Sequence, residues 1–210
     1  MINFEDKIYK KCNLEYNDSI STYNGWGAQQ NWKAFEIFWN FLYDVKPNRI
    51  LEIGTSIGGF TQFLNYCCKS IGIKTDIISL DIHKKDWYND IINEGVDIRI
   101  ENIFLENYQD IPQFYKNFIQ NDGVTIVLCD GGDKIKEFNL LSRFIKSGDF
   151  ILAHDYSLNK NIFEQEIKNK IWNWCEITED DIKESVLENN LESYKPEVFS
   201  QAVWVCKIKK

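Results

Sequence analysis

"RILEIGTSIGGFTQFL", residues 49–64, decides the fold. Ile50, Leu51 and Ile53 are apolar in succession, as in a parallel strand covered by helices on both faces. Gly54, Gly58 and Gly59 follow at once and let backbone pass where a side chain would collide. Phe60, Phe63 and Leu64 then recur at helical spacing. A strand, a glycine turn and a helix N-terminus in that order build a site for a nucleotide-like ligand.

The same alternation continues outward. Apolar strands are expected at residues 75–82, 96–100, 124–130 and 149–155, with helical stretches near 84–94, 106–121 and 134–146. This is the pattern of a Rossmann-like doubly wound α/β sheet, mostly parallel, with helices on both faces. Upstream, residues 29–43 place Trp32, Phe35, Phe38, Trp39 and Leu42 on one helical face, which reads as core. Downstream, "WCEIT" (174–178) and "SQAVWVCKIK" (200–209) read as two late strands with a helix and loop between them. A late hairpin would give the sheet an antiparallel C-terminal strand. No repeat or linker divides the 210 residues. A single domain is expected: an N-terminal helical extension (1–47), a cofactor-binding core (48–155) and a C-terminal helix with strands (156–210).

Composition narrows the function. Hydrophobic residues make up 44%, enough for a substantial core, and the net charge is −8. That charge disfavours a nucleic-acid substrate held through its phosphates. The segment "MINFEDKIYK" has no apolar stretch leading to a cleavage site, and no apolar run reaches bilayer-spanning length, so a cytoplasmic protein without membrane contact is expected. Six cysteines include the adjacent Cys67 and Cys68, with no disulfide or CxxC framework. Oligomeric state is open, a homo-oligomer included.

Polar residues end successive strands: Glu52 before the glycine turn, Asp81 after the second strand, Asn102 after the third and Asp130 after the fourth. They converge on the crevice where doubly wound folds bind ligands. Helix capping is the plainer role for any one of them. The dinucleotide spacing G-x-G-x-x-G is absent, which counts against a nicotinamide oxidoreductase.

These residues resemble the class I S-adenosylmethionine-dependent methyltransferases. "LEIGTSIGGFT" looks like that family's first motif, which implies Glu52, Gly54, Thr55, Ser56, Gly58 and Gly59 around the methionine part of the cofactor. "SLDIH" looks like the second motif and implies Asp81 on the ribose and Ile82 against the adenine, with Asn102 of "ENIF" at the adenine's edge. The resemblance implies that Gly54→Val would abolish cofactor binding without unfolding the chain.

A narrower resemblance, carried by "GWGAQQ", "LCDGGDK" and "ILAHDY", is to the cephalosporin-hydroxylase-like branch, which includes metal-dependent O-methyltransferases of sugars and antibiotics. It implies that Asp130, His154 and Asp155 hold magnesium or another divalent ion. Relatives more often carry a carboxylate at His154 and a His at Asp133. An imidazole suits a transition metal better than magnesium. O-methylation of a small hydroxylated molecule is therefore expected, with metal assistance or with His154 or Asp133 as general base. Lys134 could lower the acceptor's pKa; a solvated first-turn lysine is the plainer reading.

Overall fold

The computed structural model describes residues 21–210. A small hairpin, β1 (Thr22–Tyr23) and β2 (Trp26–Gly27), precedes α1 (Lys33–Val45). Strands and helices then alternate: β3 (Arg49–Ile53), α2 (Gly59–Ile71), β4 (Asp76–Asp81), α3 (Tyr88–Asn93) and β5 (Asp97–Ile100). The alternation continues with α4 (Gln113–Gln120), β6 (Thr125–Cys129), α5 (Lys134–Leu141) and β7 (Phe150–Ala153). The tail adds β8 (Tyr156–Ser157), α6 (Lys160–Ile162), β9 (Ile177–Thr178), α7 (Glu179–Glu188), β10 (Leu191–Ser193), α8 (Pro196–Phe199) and β11 (Val205–Lys209).

Seven strands form the central sheet in the order β10-β11-β7-β6-β3-β4-β5. From β3 the chain runs outward to β4 and β5, then returns across to β6 and β7, all parallel. The strand order therefore reverses between β3 and β6, and a crevice opens at their carboxyl ends. Alternation along each strand supplies two apolar faces. Ile50, Ile126 and Leu128 pack with Phe35, Phe38 and Phe63 from α1 and α2 on one side. Leu51, Val127 and Ile151 pack with Tyr115 and Phe138 on the other. The aromatic stripe of α1 is core, as its spacing implied.

Three expectations need correction. The partner of the last strand is β10, antiparallel to β11, which itself runs antiparallel to β7. "WCEIT" contributes only β9, paired in parallel with β8 outside the main sheet. The helix expected from residue 106 begins at Gln113, because Glu106, Asn107 and Tyr108 all take left-handed backbone (φ 49°, 55° and 64°) that a right-handed helix cannot use. Gly54 is needed by the protein as well as by any ligand. Its φ is +97°, and a Cβ there would lie 2.2 Å from the backbone oxygen of Asp130. A substitution at Gly54 strikes the β3–β6 junction itself.

Candidate active site

A cleft of about 670 Å³ lies over the carboxyl ends of β3 to β7, a size that suits a cofactor with a small acceptor. One end of it is built from the glycine turn. Ser56 takes a left-handed φ of 52° and donates its backbone N–H to Asp81 Oδ2 at 2.7 Å, while His83 N–H donates to Oδ1 at 2.8 Å. Tyr88 adds its hydroxyl to Oδ2 at 3.2 Å. Asp81 is thus held in place at the cleft, with acceptor capacity to spare on Oδ1. Ile82 is exposed on the same wall, and Asn102, whose Oδ1 accepts from Phe104 N–H at 2.9 Å, stands near it. Removing this carboxylate by Asp81→Ala should weaken S-adenosylhomocysteine binding by about 1.5–3 kcal/mol, measured by calorimetry, with the fold retained.

Glu52 and Thr55 line the same end. Glu52 is buried and accepts hydroxyl donors from Thr61, at 2.6 Å, and from Ser79. Burial pushes its pKa up to about 7 against the two hydroxyl bonds, with Asp130 and Asp81 adding repulsion. Because the folded value lies above the unfolded one, the folded state holds the extra proton, and stability falls as pH rises from about 4.5 through 7. Glu52→Gln keeps the shape without the charge. It should raise the melting temperature at pH 8, by about 2–4 °C for each kcal/mol regained, and change little at pH 5.

Gly58 and Gly59 lie behind the cleft wall, not on it. Gly58 takes φ +89° at the start of α2. A Cβ on Gly59 would sit 2.4 Å from the carbonyl oxygen of Trp26, so this glycine lets β2 cross over α2. Neither position has room for a side chain, since a Cβ on Gly58 would meet Ile91 at 2.3 Å. Asp133 is likewise off the cleft wall: its side chain accepts the Lys136 backbone N–H at 3.1 Å, capping α5, and pairs with Lys136 Nζ at 2.8 Å. The half-buried Asp133 carboxylate is thus engaged by α5 and by Lys136.

The other end of the cleft gathers around Asp130. Trp204 Nε1–H donates to Gln30 Oε1 at 2.8 Å, and Gln30 Nε2–H donates to Asp130 Oδ2 at 2.7 Å. An indole can only donate, so this chain fixes which end of the Gln30 amide faces Asp130. The other oxygen, Oδ1, lies 3.1 Å from His154 Nδ1. His154 continues the sheet ladder through its N–H to Cys129 O, and Asp155 then turns away with φ 57°. Successive strand residues ordinarily point to opposite faces. The left-handed turn is what brings both side chains to one cleft. The imidazole is buried against Trp204, ring centroids 4.9 Å apart, and its Nε2 has no hydrogen-bond partner among the described residues. Glu137 holds the connecting loop by accepting from Gly131 N–H and Asp133 N–H, both at 3.1 Å; burial pushes its own pKa up to about 7.

Asp130, His154 and Asp155 offer three ligand atoms within 4.8 Å of one another. The space between the carboxylates, however, is shared with Lys134, whose Nζ lies 2.9 Å from Asp155 Oδ2 and 3.7 Å from Asp130 Oδ1. Two unit charges 4 Å apart at an effective dielectric of 20 interact by about 4 kcal/mol, and a divalent ion beside the ammonium doubles that repulsion. As arranged, the donor set does not fit a divalent ion. Burial pushes the Lys134 pKa down, but Asp130, Asp155 and Glu176 overcome it and hold it well above the usual lysine value. Asp155, raised by burial, is carried below its usual range by His154, Lys134 and the Trp172 indole. The solvated-lysine reading is corrected: Lys134 is 6% exposed.

Trp172, Trp174 and Glu176 complete the wall, and the sequence reading did not single them out. Their i, i+2, i+4 spacing was the available signal, since an extended segment shows alternate residues to one side. The carbonyl of Asp155 anchors this segment by accepting from Glu176 N–H at 2.9 Å.

The FtsJ-like methyltransferase family model matches residues 32–194. A rhamnosyl O-methyltransferase of Mycobacterium leprae (strain TN) is 24% identical over 155 residues, covering 69% of this chain. The chain spans 65% of that relative's length. Among solved structures, the apo structure of CmcI-N160 superposes with a TM-score of 0.63 at 11% identity, covering 94% of this chain and 79% of its own. A Mg–SAM form of CmcI gives 0.61 at 13% identity, covering 90% and 76%. At such identities the likeness shows the fold. No helix among the described residues is long and apolar enough to cross a membrane.

Proposed function

We propose that this chain, which belongs to the FtsJ-like methyltransferase family, uses S-adenosylmethionine to methylate a hydroxyl of a small molecule, with His154 as the base. The observation that carries this reading is the Asp130–His154 pair. Asp130 Oδ1 beside Nδ1 favours the tautomer with the proton on Nδ1, which leaves the lone pair on the buried, unpartnered Nε2. A hydroxyl has a high pKa and must lose its proton as the new bond forms. S-adenosylmethionine supplies the methyl group on a sulfonium. For His154 to take the hydroxyl proton, the entering acceptor must uncover its Nε2, which is closed to solvent here; Asp130, itself held by Gln30, then stabilises the resulting charge. Asp81, Ser56 and Ile82 would hold the cofactor's nucleoside, and positioning of the acceptor against it accounts for much of the remaining rate.

The name of the rhamnosyl O-methyltransferase relative and the indole faces of Trp172 and Trp174 support a sugar, glycoconjugate or similar hydroxylated natural product as acceptor. The net charge of −8 supports a small acceptor over a nucleic acid. Incubation with S-adenosylmethionine and a panel of methyl glycosides, phenols and amines tests this. Methylated glycosides or phenols are expected; products from the amines alone would overturn it. A metal-assisted version would use Asp130, His154 and Asp155 as ligands and would require Lys134 to leave its place.

A further inference from the structure

We propose that Lys134 is the cation of this site. Its ammonium stands between Asp130 and Asp155 where a divalent ion would have to sit, and so makes the centre independent of metal. The proposal deepens the methyltransferase reading and rests on it.

An ammonium has three protons to donate, and here each has a partner: Asp155 Oδ2 at 2.9 Å, Glu176 Oε2 at 2.8 Å and Gly131 O at 3.2 Å. Asp130 Oδ1, at 3.7 Å, adds charge without a further bond. This is a saturated cation site built from strand ends, a loop carbonyl and the tail. The position is an unusual one for a lysine on two counts. It opens α5, where the helix dipole disfavours positive charge, and it is 6% exposed, although lysines rarely bury unless paired. Neither the helix nor the core has use for an ammonium there; the carboxylates do. Lys134 is a positioning residue on this account: it holds Asp130 and Asp155 together without a metal, and Asp130 in turn orients His154.

The test uses Mn²⁺ alone as probe, followed by its paramagnetic resonance signal in the full chain without acceptor. The wild type should show no Mn²⁺ site that Asp155→Asn removes. Lys134→Met, which keeps the bulk and deletes the charge, should gain such a site, at least tenfold tighter than any in the wild type. Adding Asp155→Asn to Lys134→Met should abolish the gain, and Lys134→Arg, still cationic, should show none. A wild-type Mn²⁺ site that Asp155→Asn removes would overturn the proposal. So would a folded Lys134→Met that binds no Mn²⁺. If Lys134→Met does not fold, the wild type and Lys134→Arg decide the matter. S-adenosylhomocysteine titrated into the wild type separates the two readings. Failure to bind it would sink the methyltransferase reading, whereas the Mn²⁺ results bear on Lys134 alone.

Discussion

His154→Ala should lower the rate of methyl transfer about 100-fold or more, with S-adenosylhomocysteine affinity unchanged. Positioned general bases contribute roughly 10²–10⁴-fold. Among the described residues, the neighbouring ionisable side chains are otherwise engaged, Asp155 and Glu176 by Lys134. Asp133 is turned away to cap α5, Asp130 is shared among Gln30, His154 and Lys134, and Lys134 has no free lone pair as an ammonium. Steady-state rates at saturating cofactor check this. A loss below about tenfold would leave His154 as packing against Trp204 and Trp172.

Gly54→Val should cost the fold, not only the ligand. The Cβ alone would meet Asp130 O at 2.2 Å and Gly131 N at 3.0 Å, both backbone atoms that cannot rotate aside. The substitution also imposes φ +97° on a β-branched residue, where L side chains are strained. Backbone strain of about 1–3 kcal/mol and displacement of a core strand junction together should reach about 4 kcal/mol or more. Denaturant unfolding measures it. A variant as stable as the wild type but unable to bind cofactor would restore the view that this glycine serves the ligand alone.

That contrast marks what was legible in the residues. The strand-turn-helix of residues 49–64 and the acids ending the following strands are local patterns, and the doubly wound sheet follows from them. Buried parallel strands announce themselves as apolar runs. The reasons for the glycines were not legible, because collisions with Trp26 O and Asp130 O come from segments distant in sequence. The same holds for Lys134: its three partners are Gly131, Asp155 and Glu176, and only the first is a neighbour along the chain. Gln30 reads as an ordinary polar residue ahead of a helix until Trp204, 174 positions away, fixes its amide. Tertiary pairing decides such roles, and a local pattern cannot carry it.

The most direct test of the whole account is the fate of a ¹³C-labelled methyl group. The wild-type chain is incubated with methyl-labelled S-adenosylmethionine and the glycoside and phenol panel in excess chelator, and the product is read by NMR. The account predicts a labelled methyl ether, formed at a rate that chelator does not reduce. Label found only on nitrogen or carbon, or ether formation that begins only when a divalent metal is restored, would contradict it.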